Sequence, residues 1–159
     1  MNISIACMMN DEYYMNLAIK EAEKAAEIDE VPVGAVIVDA DTHVIGYGHN
    51  CPISSNDPTS HAEINAMRMA SRVLNNYRLI DTTLYVTIEP CIMCMGAIIH
   101  ARIKRVVFGA KDKKWGAAGS LYNMAEDKRL NHHPEIVSGI YEEKTIQMIK
   151  HFFLNKRSK

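Results

Sequence analysis

Thr83-Leu-Tyr-Val-Thr-Ile-Glu-Pro-Cys91-Ile-Met-Cys94 is the stretch whose reading decides the fold. Thr83 to Ile88 is a short run of β-branched, aromatic and apolar residues bounded by polar ones, which predicts a strand. Pro90 breaks that pattern, and the apolar run from Ile92 to Ile99 predicts a helix. A strand feeding directly into a helix implies an α/β architecture. Cys91 and Cys94, at i and i+3, then lie on one face of that helix. The first-turn N–H groups and the macrodipole stabilise thiolates there.

Upstream, His61-Ala-Glu63 opens a second periodic segment, with Ile64, Met67, Ser71 and Leu74 on one stripe and an end near Asn75. Two helix starts can therefore meet at one metal. His61, Cys91 and Cys94 supply three ligands for one Zn²⁺ per chain. Structural zinc usually takes four protein ligands, whereas catalytic zinc keeps a position for water. Three ligands and a nearby acid point to hydrolysis, with zinc acidifying the water. Glu63, two residues after His61, sits beside the metal and is assigned general acid/base work. The competing reading is a structural zinc, or two buried free cysteines.

The elements flanking this pair alternate. Residues 12–28 carry Tyr14, Leu17, Ala18, Ala22 and Ala25 at helical spacing. Val33 to Val38 predicts a buried strand, residues 39–41 a turn, and Val44 to Gly48 a returning strand, giving a hairpin. Residues 51–60 are rich in Pro, Ser, Asn and Asp and predict a loop. Arg105 to Gly109 predicts a strand, residues 110–120 a Gly/Lys-rich loop, and Leu121 the start of a short helix. Glu135 to Gly139 predicts a weak strand. Tyr141 to Asn155 closes the chain as a helix with Ile146, Ile149 and Phe153 on one face. This order implies helices covering a mixed central sheet in a single domain over 1–159.

Composition agrees. The chain has 159 residues, 48% hydrophobic and 23% charged, enough for one substantial core. No apolar run approaches the ~20 residues that span a bilayer. The first ten residues lack Lys and Arg and are too short for a secretory signal. They are expected to be flexible, and Met8 and Met9 offer alternative starts. Two of the four cysteines belong to the metal motif, which leaves Cys7 and Cys51 as reduced thiols in a cytoplasmic protein. The ten methionines, Met93 and Met95 among them, read as core filler.

The net charge of −1 argues against a strongly basic nucleic-acid binder, but the distribution is uneven. Residues 1–40 carry eight acids against Lys20 and Lys24. Residues 102–114 carry Arg102, Lys104, Arg105, Lys111, Lys113 and Lys114 against Asp112 alone. Such a surface can hold phosphates on one side; the plainer reading is a solvated face. Trp115 follows two lysines, and an exposed indole there could stack on a base.

His-x-Glu followed by Pro-Cys-x-x-Cys matches the zinc nucleobase-deaminase signature, of which the tRNA adenosine deaminases are a known example. The rest of the chain resembles the bacterial tRNA adenosine deaminases, which convert the wobble adenosine of a tRNA anticodon to inosine. The resemblance covers roughly residues 11 to 155. It rests on Glu30-Val-Pro-Val-Gly-Ala-Val36, His49-Asn50, Asp57-Pro-Thr-Ser-His-Ala-Glu63, Arg105-Val-Val-Phe-Gly-Ala110 and Gly116-Ala-Ala-Gly-Ser-Leu121. Gly116 to Leu121 and Asn131-His132 favour the tRNA branch over other cytidine-deaminase-like enzymes.

The resemblance implies a three-layer α/β/α cytidine-deaminase-like fold with a mixed five-stranded sheet. It also implies a homodimer with substrate crossing the interface, acting on a tRNA anticodon stem-loop rather than DNA. It makes Asn50 a contact to the purine ring and the backbone N–H of Ala62 a donor to the base. Asp112 would lie near the nucleotide preceding the target, and Asn131 would be a further substrate contact. His132 and His133 read as loop residues. Two rivals stand beside this reading. A free guanine or cytosine deaminase would keep the zinc motif without needing a basic loop. A noncatalytic zinc-containing RNA-binding subunit would be expected to lose the acid, and Glu63 is present.

Overall fold

The computed structural model describes the backbone of residues 2–158 and the side chains of residues 10–158. In chain order the elements are α1 (Asn2–Glu27), β1 (Gly34–Val38), β2 (Val44–His49), α2 (Pro52–Ser55) and α3 (Ala62–Leu74). They continue as β3 (Thr83–Ile88), α4 (Ile92–Ala101), β4 (Arg105–Ala110), β5 (Glu135–Ser138) and α5 (Glu142–Arg157). One sheet has the order β2-β1-β3-β4-β5. β1 pairs antiparallel with β2 and β3; β4 pairs parallel with β3 and β5. The expected hairpin, mixed sheet and βα unit are present.

Strand alternation explains the layers. Ala35 and Ile37 of β1, Leu84 and Val86 of β3, and Val106 and Phe108 of β4 face a core shared with Ala66, Met67, Met95 and Ile98 of α3 and α4. Val36, Val38, Tyr85 and Val107 face the opposite way, onto Tyr14, Met15, Ala18 and Ile19 of α1, with Met148 of α5 packed against them. Period-two burial on both faces is what a strand covered by helices on each side requires. The result is a three-layer α/β/α fold.

α3 comes unusually close to the sheet. Its buried residues are Ala62, Glu63, Ala66, Met67 and Ala70, so small side chains face the strand. A Cβ on Gly48 would lie 2.2 Å from the Ala62 carbonyl oxygen. No other residue fits there, and this contact fixes where α3 begins relative to β2. The expected stripe of Ile64, Met67, Ser71 and Leu74 is thus only partly the core face. Ile64 and Ser71 line a surface groove with residues of α4, and Leu74 is exposed. Alanine carries so little hydrophobic signal that the larger residues set the apparent stripe.

α5 shows the same displacement. Thr145 and Phe152 are its buried residues, whereas Ile149 and Phe153 of the expected stripe line a cavity at the metal-binding corner. Both stripes are apolar, so periodicity alone cannot tell which one meets the sheet.

Three further expectations change. α1 runs back to Asn2, well before residue 12; Cys7, expected as a reduced thiol, has its side chain outside the described residues. The 51–60 loop contains the single turn α2. No helix starts at Leu121: residues 111–134 are turns and bends apart from isolated bridges joining Cys91 to Gly116 and Ala118 to Asn123.

Among the described residues, no helix is long and apolar enough to cross a membrane. A bidentate ion pair binds the layers together instead. Arg105 donates from Nη1 and Nη2 to the Asp11 carboxylate at 2.7 and 2.8 Å, and the Tyr85 hydroxyl donates to the same carboxylate at 2.8 Å.

Candidate active site

The two helix starts meet as the sequence predicts. His61 is the N-cap of α3 and Cys91 the N-cap of α4, both in extended conformation and neither using its side chain to cap its own helix. Their side chains are therefore available to each other. His61 Nδ1 lies 3.7 Å from Cys91 Sγ and 3.6 Å from Cys94 Sγ. Zinc–sulfur bonds near 2.3 Å and zinc–nitrogen bonds near 2.0–2.1 Å at a tetrahedral angle would hold N and S roughly 3.6 Å apart. The three ligand atoms lie within 4.8 Å of one another, so the donor set fits zinc in chemistry and in span.

Charge in this corner is strongly coupled. A hydrogen bond with Cys94 holds the Cys91 thiol below its ordinary range, and the same bond together with burial pushes Cys94 up. The hydrogen bond to Cys91 raises His61. The shared hydrogen bond thus favours the charged form at Cys91 rather than at Cys94. Glu63 is 3% exposed, and burial lifts its carboxyl to about 7. That is the range in which a carboxyl can both take and give a proton near neutrality.

A cavity of about 730 Å³ opens onto this corner, and His61, Glu63, Cys91, Asn50 and Asp112 all line it. Asn50 is buried at the end of β2, with its N–H donating to the Val33 carbonyl at 3.0 Å. Ala62 packs its side chain into the core. As the first residue of α3, it leaves its N–H among the donors that a helix start does not use internally.

Asp112 reaches the rim, but its carboxylate already accepts the N–H groups of Lys114 and Trp115 at 2.9 and 3.2 Å. Asn131 is not brought to the cavity. It is exposed, and Arg102 donates to its side-chain and backbone oxygens at 3.0 and 2.9 Å. His132 and His133 bond to the carbonyls of Ile103 and Ala125 and are no part of the ligand set. Met93 lines the cavity, whereas Met95 is fully buried in the core as expected.

The basic segment divides. Arg105 is engaged by Asp11, Arg102 by Asn131, and Lys104 by Asp81 at 3.2 Å. Lys111, Lys113 and Lys114 are exposed and make no ion pair among the described residues.

Sequence reasoning missed Glu89. It is 2% exposed and lies between strand β3 and the Pro90-Cys91 start of α4. Its carboxylate accepts the N–H groups of Asp112, Ala118 and Ser120 at 3.0, 3.0 and 2.9 Å, and the Ser120 hydroxyl. It thereby pins the whole 112–120 loop beside the metal ligands. A Cβ on Gly116 would lie 2.4 Å from the Glu89 Cδ atom, so glycine is needed where the loop passes over it. The available signal was an acid at the end of an otherwise apolar strand, which burial obliges to find donors.

Comparison with known proteins agrees with this geometry. Residues 8–110 match the cytidine and deoxycytidylate deaminase zinc-binding region. The chain is 49% identical over 147 residues to a tRNA-specific adenosine deaminase of Haemophilus influenzae, covering 92% of this chain and 85% of that one. A structure from a study of A-to-I editing by tRNA:A34 deaminases at the wobble position of transfer RNA superposes with a TM-score of 0.82. It is 43% identical, over 86% of this chain and 98% of that one. A guanine deaminase from Bacillus subtilis gives a TM-score of 0.61 at 41% identity, over 69% of each chain. The chain belongs to the cytidine and deoxycytidylate deaminase zinc-binding family and, within it, groups with the tRNA-specific adenosine deaminases.

Proposed function

We propose that this chain is a single-domain, cytoplasmic, zinc-dependent deaminase that converts the wobble adenosine of a tRNA anticodon to inosine. One observation carries the reading. His61 and Cys91 of the ligand set line a cavity with Glu63, Cys94 lies buried behind them, and the mouth of that cavity bears a loop whose lysines make no ion pair among the described residues. A free-base enzyme has no need of such lysines; an RNA backbone does.

When bound by His61, Cys91 and Cys94, zinc lowers the pKa of the attacking water. Adenosine gains that oxygen at C6 and loses ammonia. Glu63 moves the protons, taking one from water to N1 and delivering another to the departing amine. Burial suits it to both tasks because it holds the carboxyl at about 7. Asn50 offers a donor and an acceptor to the purine ring, and the Ala62 N–H offers a donor. Asp112 keeps one carboxylate oxygen for the neighbouring nucleotide. Asn131 acts as a brace for Arg102. The target base must leave its stack to reach the cavity floor, which is cheapest in an unpaired anticodon loop.

A second copy of the chain covers the groove of about 480 Å³ between α3 and α4, lined by Ile64, Met67, Tyr77 and Ala97. Arg68, Arg72 and His100 line the same groove, giving the apolar centre and polar edge of a protein–protein contact. A homodimer mass in sedimentation supports this; a monomer at micromolar concentration removes it.

The likeness to a guanine deaminase favours one other reading, free guanine as substrate. Zinc-loaded protein given matched concentrations of an anticodon stem-loop and free guanine or cytosine separates the two. Inosine and ammonia are expected from the stem-loop, with little ammonia from the bases. Faster release from a free base overturns the tRNA assignment and leaves the zinc hydrolase chemistry standing.

A further inference from the structure

Trp115 is the chain's one tryptophan and is 66% exposed. Nothing in the proton chemistry uses it, and an indole left in water forgoes a large apolar burial. Its position is nevertheless tightly fixed. Its N–H donates to Asp112 Oδ1 at 3.2 Å, and the next residue, Gly116, donates to the Asp112 carbonyl at 2.9 Å. Gly116 also forms a bridge with Cys91, a metal ligand. The exposed ring therefore stands on a rigid support tied to the metal corner.

The surroundings define what the ring can meet. Trp115 lines the cavity together with Ile92, Met93 and Phe153. Ile92 is 50% and Phe153 45% exposed, so an open apolar patch lies beside the ring, while Asn50, His61 and Glu63 supply polar groups to the cavity. Lys111, Lys113 and Lys114 stand beside it, exposed. A flat aromatic face among exposed cations is the arrangement that binds single-stranded nucleic acid, one part taking a base and the other the phosphates.

We propose that Trp115 is a stacking platform for one base flanking the target adenosine, and so a specificity-determining residue for the reaction. This rests on the tRNA-deaminase reading above. The cavity floor takes the target base; the rim takes its neighbour, which must unstack from the loop to lie on the indole.

The test uses zinc-loaded protein and an anticodon stem-loop. Because Trp115 is the only tryptophan, its emission reports on this position alone. Binding a stem-loop with inosine at the target position is expected to quench it. Trp115→Ala is expected to raise KM about five- to 150-fold, the range for one base stacked on an aromatic ring, with kcat within twofold and zinc content unchanged. Trp115→Phe should fall between. An abasic nucleotide at the stacked flank should bring the wild type to the level of Trp115→Ala, while one at the other flank leaves their difference intact.

Three results would overturn the proposal: emission unmoved by RNA whose binding is verified by anisotropy, a KM for Trp115→Ala within twofold of wild type, or a penalty that persists with either flank abasic. If the wild type fails to deaminate the stem-loop, the tRNA reading itself has failed. If the wild type works and Trp115→Ala works equally well, only the stacking role is lost.

Discussion

Glu63 and Glu89 are two carboxylates buried to nearly the same degree, 3% and 2% exposed, against the same cavity. Their surroundings differ. Glu63 lies in the first turn of α3 beside Cys91 and Cys94, and burial lifts it to about 7. Glu89 receives three backbone N–H groups and a hydroxyl. Removal from water without enough donors makes a proton carrier; removal with a full set of donors makes a fixed acceptor that organises a loop. Burial alone distinguishes neither role.

The comparison breaks first at Glu63. Glu63→Gln keeps size and polarity but cannot carry a proton. Turnover on the stem-loop should fall by at least ~10²-fold, the low end for general acid–base catalysis, with zinc content by atomic absorption unchanged. Near-normal turnover would remove Glu63 from the chemistry.

Glu89→Gln should behave differently. The amide presents N–H where the carboxylate accepted N–H, so at least one loop donor loses its partner inside the protein. A buried unsatisfied donor costs about 1–3 kcal/mol. For a chain of this size that corresponds to a fall in melting temperature of about 2–10 °C. KM for the stem-loop should rise as the loop bearing Asp112 and Lys114 loosens, and kcat should fall less than in Glu63→Gln. Should Glu89→Gln abolish turnover while melting temperature and zinc content stay at wild-type values, Glu89 would share the proton work and the contrast would collapse.

The same contrast explains what could be read from the sequence. His61, Cys91, Cys94 and Glu63 were legible because metal ligands must be particular residue types at particular spacings. β1, β3 and the start of α4 were legible because fully buried strands are continuous apolar runs punctuated by Pro90. Glu89's role was hidden because its partners are backbone N–H groups at positions 112, 118 and 120, and backbone donors leave no residue-type signature. The open faces of α3 and α5 were misplaced because an apolar stripe has the same period whether it meets a sheet, a groove or a substrate cavity. Arg105 was counted with a phosphate surface because its partner Asp11 is 94 residues away.

Asp57 extends the comparison to a third carboxylate, next in sequence to cavity-lining Pro58, and it carries the smallest expected effect. It accepts the Thr59 hydroxyl and N–H at 2.7 and 2.8 Å, with Arg68 Nη1 at 3.5 Å. The Thr59 hydroxyl bond leads in holding its pKa below the usual carboxylate range. A folded-state pKa below the unfolded one stabilises the protein above the unfolded value and is lost as pH falls through the folded one. The window therefore opens near pH 4 and extends downward. Solvent screens this group, so the effect on melting temperature should be small. Asp57→Asn should lower the melting temperature slightly at pH 7, and the gap from wild type should close below pH 4. A gap that persists unchanged at pH 3 would mean that the turn depends on the shape of the side chain and not on its charge. That outcome would put Asp57 with Glu89, as a carboxylate valued for its acceptors.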